Sequence, residues 1–267
     1  MTSYALRSVI RQYKSLKHIE NNTIEWAAIN GYLDVIQWLF ENRSLQENYC
    51  ATSIMDYAAF YGHLDVVKWL HKNRTDGCTK MAMDIASRYG YLEVVKWLHE
   101  NRTEGCTTRA MDNAACNGHL DIIKWFHENR TEGCTKMAMD LAAAHGHVHI
   151  VKWLHWNRTE GCTINAMDWA AARGHLEVVK WLHENRTEGC TELAMNLAVE
   201  RGHLEIIKWL HENRSEGCSV EAMNWAAQIS CNNILEYLYT NYKHLVAKVN
   251  DITYEELLPF IQEDFRR

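Results

Sequence analysis

The sequence predicts an all-α protein built as a helix-turn-helix repeat solenoid, with little or no β-hairpin. Three observations carry this. Gly62, Gly90, Gly118, Gly146, Gly174 and Gly202 recur every 28 residues. Cys50, Cys78, Cys106, Cys134, Cys162, Cys190 and Cys218 keep the same step, as do Trp69 through Trp209. A single proline, Pro259, occurs in 267 residues. A fixed period of this size marks a stacked repeat array. Proline scarcity favours continuous helix over a loop-rich β fold.

The elements follow in chain order. Residues 1–19 place Leu6, Ile10, Tyr13 and Leu16 at helical spacing opposite Arg7, Arg11 and Lys14, which predicts an N-terminal capping helix. A first, looser copy surrounds Gly31, with extra residues in the loop Ser44 to Tyr49. Each later unit reads as two short helices. Thr79 is an N-cap for a first helix over Lys80 to Tyr89. Gly90 supplies the left-handed residue that ends it. A second helix runs from Leu92 to Glu100, and Asn101 sits where a left-handed C-terminal residue is tolerated. Arg102 to Cys106 form the loop to the next unit. Isolated helices need roughly 12–15 residues, so these units must stack to be stable. A last copy runs from Cys218 to Tyr242, with Ser230 in the glycine slot. Residues 20–242 thus hold eight units. Residues 243–267 form a C-terminal capping helical segment, where Thr253 and Glu256 make a capping box before Leu257, Leu258 and Phe260.

Gly62-His63-Leu64-Asp65-Val66-Val67-Lys68 and Gly174-His175-Leu176-Glu177-Val178-Val179-Lys180 resemble the centre of the ankyrin repeat. The resemblance covers residues 20 to 242. Two departures stand out. Ala82-Met83-Asp84 and its copies replace the family's T-P-L-H start. The unit is 28 residues instead of about 33, and the missing residues are those of the inter-repeat hairpin. Fingertip binding residues of the family therefore have no counterpart. What the resemblance implies is a concave first-helix face that contacts protein partners.

Helical spacing puts Ala82, Met83, Ala86 and Tyr89 on a buried side of the first helix, with Lys80, Met81, Asp84 and Arg88 facing away. On the second helix Leu64, Val66, Val67 and Leu70 share the core stripe, opposite Asp65 and Lys68. The tryptophans fall at the stripe's edge, predicting half-buried rings along the repeat seams. The variable slots lie after each threonine and before each glycine. They hold Phe60, Tyr61, Met81, Arg88, Tyr89, Arg109, Asn117, His145, Arg173 and Arg201, the candidate partner-binding residues. Aromatic residues and arginine are the types that anchor interfaces, and the N-terminal aromatic group Phe60, Tyr61 and Tyr89 is the expected anchor.

Chemical readings compete with structural ones. Register-matched thiols one unit apart inherit the helix spacing of about 8–10 Å, beyond the ~6.8 Å reach of a disulfide. The cysteine ladder therefore reads as a repeated small buried hydrophobe. Cys116, out of register, is the thiol to test for reactivity. His145, His147 and His149 form the alternative, a metal-binding cluster. The aspartates Asp56, Asp84, Asp112, Asp140 and Asp168 read as bonds to neighbouring loop backbone in preference to an acidic binding stripe. The Asn-Arg-Thr strings match glycosylation sequons, but the asparagines also have a capping role. A repeated histidine ladder is the wrong pattern for catalysis, which needs one asymmetric set of groups.

The chain carries 28 Lys and Arg against 34 Asp and Glu, a formal charge of -6. That argues against a general nucleic-acid or anionic-membrane binder. No signal-peptide core and no run of about 18 apolar residues is present. An odd count of nine cysteines suits reduced thiols. The expectation is an intracellular, cytoplasmic, monomeric, noncatalytic scaffold without a cofactor, binding a protein partner. The alternative is an adaptor that recruits other machinery, such as a ubiquitin ligase, through its C-terminal helix.

Overall fold

The computed structural model describes residues 20–42, 51–228 and 232–246. The expected N-terminal capping helix, the loop Ser44 to Tyr49, Ser230 and the Thr253–Glu256 capping box lie outside these residues. The chain divides into two compact units, Met1–Thr135 and Lys136–Arg267. The first holds α1 (Glu20–Ile29), α2 (Leu33–Asn42), α3 (Ala51–Phe60), α4 (Leu64–Asn73), α5 (Lys80–Arg88), α6 (Leu92–Asn101), α7 (Arg109–Cys116) and α8 (Leu120–Asn129). The second holds α9 (Lys136–Ala144), α10 (Val148–Asn157), α11 (Asn165–Ala172), α12 (Leu176–Asn185), α13 (Glu192–Glu200), α14 (Leu204–Asn213), α15 (Val220–Gln228), α16 (Asn232–Asn241) and α17 (Lys243–Val246). No strand occurs among the described residues, so the fold is the all-α, hairpin-free repeat that the short period predicts.

Local chemistry sets the helix ends. The Thr79 hydroxyl accepts the Met81 N–H at 3.1 Å, and Thr191 does the same for Leu193 at 3.1 Å. After α5 the Tyr91 N–H donates to the Ala86 carbonyl at 3.0 Å, across Gly90 at φ 83°. That conformation alone favours glycine. A Cβ there would also lie 2.7 Å from the His119 ring. The second helices end differently from the sequence expectation. Asn101 stays helical, and its side-chain amide donates to the Trp97 carbonyl at 2.9 Å. Arg102 then turns extended, at φ -127°. The asparagine caps with its side chain, and the left-handed residue of the loop is Gly105 at φ 73°.

Within each unit the first helices pack side by side, α1, α3, α5 and α7 in one and α9, α11, α13 and α15 in the other. Each second helix covers its own first helix. Ala82, Met83 and Ala86 are buried as expected. Small residues there let neighbouring helices approach closely. Val66, Val67 and Leu70 are buried under α3, each worth roughly 1.5–3 kcal/mol relative to exposure, whereas Leu64 is half-buried.

Two assignments by helical angle are corrected. Tyr89 is 44% exposed, because it is the C-cap of α5 with ψ near 7° and no longer follows the helical progression. Asp84 is 6% exposed instead of facing away, because the following loop closes over it. Five of the six in-register tryptophans, Trp69, Trp97, Trp125, Trp153 and Trp209, are half-buried as predicted. Trp181 is buried, and Trp156 packs against it with ring centroids 6.0 Å apart.

Candidate functional site

The aspartate column is structural. Asp56 receives the Thr79 N–H and hydroxyl, each at 2.8 Å. The pairs Asp84–Thr107, Asp112–Thr135, Asp140–Thr163 and Asp168–Thr191 repeat the clamp at 2.7–2.8 Å. Each carboxylate thereby ties one helix to the loop that opens the next pair. Burial pushes Asp56, Asp140 and Asp168 above the ordinary carboxylate value, against the lowering pull of the threonine bonds.

A second, unexpected contact recurs between successive pairs within each unit. Arg102 forks onto Glu104, and its third nitrogen donates to the His71 Nδ1 of the preceding pair at 3.3 Å. Arg130 repeats this with Glu132 and His99, at 3.1 Å to the histidine. Arg186 and Arg214 do so with Glu188 and Glu216, reaching His155 and His183. His71 also meets the edge of Trp97, 5.2 Å between centroids and 84° between planes. The Arg130 bond holds Glu132 down at about 2, overcoming the opposing effect of burial. The thiols sit behind these latches. Burial, then the neighbouring Glu132, pushes Cys106 up to about 12. Burial likewise pushes Cys78 and Cys162 to about 12. Such thiols stay protonated and weakly reactive near neutrality. Cys116 is half-buried at the end of α7.

The candidate partner residues fall into two groups. In the first unit, Phe60 is half-buried with its ring 4.5 Å from Tyr61 and 4.9 Å from Tyr89. Tyr61 is 42% exposed, and Arg88 lies over the Tyr89 ring at 5.8 Å. Tyr89 in turn stacks with Tyr91 at 6.4 Å. Met81 is 56% exposed and shares a groove of about 550 Å³ with Lys80 and Arg109. Asn117 is exposed, its amide donating to the Asn113 carbonyl at 2.9 Å. In the second unit Arg173 meets His145 Nε2 at 2.7 Å, and both are exposed. Arg201 is exposed at the end of α13.

His145, His147 and His149 do not make the metal cluster their spacing suggested. The His145 ring is engaged by the Leu141 carbonyl and by Arg173. Neighbouring rings stand 6.2 and 6.1 Å apart. Among the described residues, no three groups are arranged to hold a metal.

Sequence reasoning missed two features. One is the Arg-Glu-His row, whose signal was the recurring Arg-Thr-Glu-Gly-Cys loop after the histidine-bearing helices, varied only by Asp76 and Ser215. The other is Trp156, 66% exposed, in a slot that holds Lys72, Glu100, Glu128, Glu184 and Glu212 elsewhere. Its departure from register was the available signal. No helix among the described residues is long and apolar enough to cross a membrane.

Comparison with known families matches these helix pairs. A model for three copies of the ankyrin repeat matches residues 24–112. A model for arrays of many ankyrin repeats matches residues 111–155, 139–183 and 167–211. No curated protein matches the chain.

Proposed function

The chain belongs to the ankyrin repeat family, and from that premise we propose that it is a noncatalytic scaffold gripping a protein segment on its first-helix face. Ankyrin repeats are in general protein–protein interaction modules. In this reading residues 20–242 are the binding array, and residues 1–19 and 243–267 are its capped ends. The observation that carries the proposal is the aromatic cluster Phe60, Tyr61 and Tyr89. It leaves large rings in water at the ends of α3 and α5, beside Arg88. Large aromatic side chains lose little entropy and bury much area when a partner covers them, and arginine adds charge-assisted hydrogen bonds.

Chemistry also supports a noncatalytic role. The recurring aspartates, arginines and latch histidines are taken up by the Asp–Thr clamps and the Arg-Glu-His latches, and their repetition is the wrong pattern for one asymmetric catalytic set. The test is crosslinking and recovery of a partner from cells, comparing the native chain with the triple variant F60A/Y61A/Y89A. Helicity should be unchanged and retention lost. Retention at the native level would remove this surface from consideration.

A further inference from the structure

The charges on the first helices of the first unit are unbalanced. Helices α3, α5 and α7 carry three carboxylates, Asp56, Asp84 and Asp112, and every one is tied to a threonine of the following loop. The same helices carry Lys80, Arg88 and Arg109, all exposed. None of these three pairs with a carboxylate among the described residues. A protein of net charge -6 therefore presents a basic, aromatic-edged strip on these helices.

Register gives the strip an internal contrast. Four repeats further on, the positions of Lys80, Arg88 and Arg109 are occupied by Glu192, Glu200 and Glu221. The scaffold accepts either sign at these slots, so packing does not dictate the cations. Met81 likewise has Leu193 as its counterpart, 50% exposed, so the apolar slot is kept while the charges reverse.

We infer that the face of α3, α5 and α7 docks an acidic, extended segment of another protein, a reading that rests on the scaffold function proposed above and adds the partner's charge. Lys80 and Arg88 lie eight positions apart on α5, a rise of about 12 Å. An extended chain advances about 3.3 Å per residue, so carboxylates roughly four residues apart reach both cations. The side chains between them meet Met81 and the Tyr89–Phe60 rings. Arg109, across the groove that it shares with Lys80 and Met81, receives a further carboxylate. Charge complementarity of this kind sets partner choice and association rate more than bulk affinity.

The test uses the full chain and fluorescein-labelled ten-residue peptide pools. One pool has Glu at two positions four residues apart around Tyr or Leu. The control pool has Lys at the same two positions. The acidic pool should bind with strong salt dependence, and the K80E/R88E/R109E variant should weaken it by about tenfold or more while gaining binding to the lysine pool. The reverse triple, E192K/E200K/E221K, should leave acidic-pool binding at α5 intact. Equal binding of both pools, or no acidic-pool binding at low salt, overturns the inference. So does competition by a uridine decanucleotide, or self-association of the native chain that the triple variant abolishes. A crosslinked protein mapped to α5 whose bound segment is not acidic would remove the charge assignment and leave the scaffold reading standing. The absence of any protein crosslink to α3, α5 or α7 would remove both.

Discussion

Asp84 accepts two hydrogen bonds from Thr107, from the backbone N–H and from the hydroxyl, each at 2.7 Å across 23 residues of chain. The same clamp recurs with exchanged roles where the residues change. Asn196 accepts the Ser219 N–H at 2.9 Å and donates its amide to the Ser219 hydroxyl at 3.1 Å.

D84A should therefore destabilise the fold by about 1–3 kcal/mol, since it leaves the Thr107 N–H without its acceptor. D84N should cost less, because in the Asn196 pair the amide oxygen accepts the backbone N–H while the amide nitrogen donates to the hydroxyl oxygen. Urea denaturation of the two variants compares them directly. Equal losses would mean that charge, not acceptor geometry, is what Thr107 requires.

The latch predicts an acid dependence. Glu132 is held at about 2 in the fold against 4.5 when free. A lowered carboxylate value stabilises the fold above pH 4.5, and that contribution disappears as pH falls from 4.5 to 2. Asp140 and Asp168, raised by burial, act in the opposite direction as pH falls towards 3.8 and soften the slope. E132Q should flatten the acid limb of a stability–pH curve and cost about 1–2 kcal/mol at pH 7. An unchanged acid limb would dismiss the latch as a stabilising element.

An alkaline dependence comes from the thiols. Cys78, Cys106 and Cys162 rise from 9.0 to about 12 in the fold. The folded state holds their protons more tightly, so their contribution is complete below pH 9 and is lost as pH rises towards 12. C106A/C162A should weaken that loss. Thiol reagents at pH 7.5 should modify these cysteines only at the rate of unfolding. Rapid labelling of Cys106 in the folded protein would contradict its burial.

G90A should cost about 1–2 kcal/mol from the left-handed backbone, and more from the added Cβ against His119. A double-mutant cycle with H119A isolates the second contribution, since the two changes should be less than additive. Strict additivity would show that the ring simply moves aside.

Much of this architecture was legible in the sequence. The 28-residue step places the pairs, and the runs Val66-Val67 and Ala82-Met83 mark what they bury. Legibility ended where one helix depends on the next loop. Asp84 looked exposed by helical angle because the angle knows nothing of Thr107. Tyr89 looked buried because the angle assumes that the helix continues. Asn101 looked left-handed, but its amide reaches back to Trp97 within the helix. The Arg102–His71 contact joins residues of different pairs, so the repeat shows that both recur but not that they meet. On the candidate surface, Lys80 and Arg88 were readable as variable positions. Their lack of carboxylate partners required knowing that Asp56, Asp84 and Asp112 are already occupied.

At the last pair, Tyr242 stands in register where Arg214 stood one unit earlier, its hydroxyl 2.9 Å from His211 Nδ1 and 3.3 Å from the Met195 sulfur. Arginine faces both ways in each latch, holding a glutamate of its own loop while it serves the histidine behind. Tyrosine serves the histidine and the Met195 sulfur and holds no glutamate. The second unit can therefore lengthen by copying any interior pair, because each copy brings a fresh glutamate for its own arginine. A copy added after Tyr242 would bring its own arginine but meet Tyr239, not a histidine, in the slot behind it. Among the described residues the Arg-Glu-His row therefore ends at His211, where a phenol stands in place of a guanidinium.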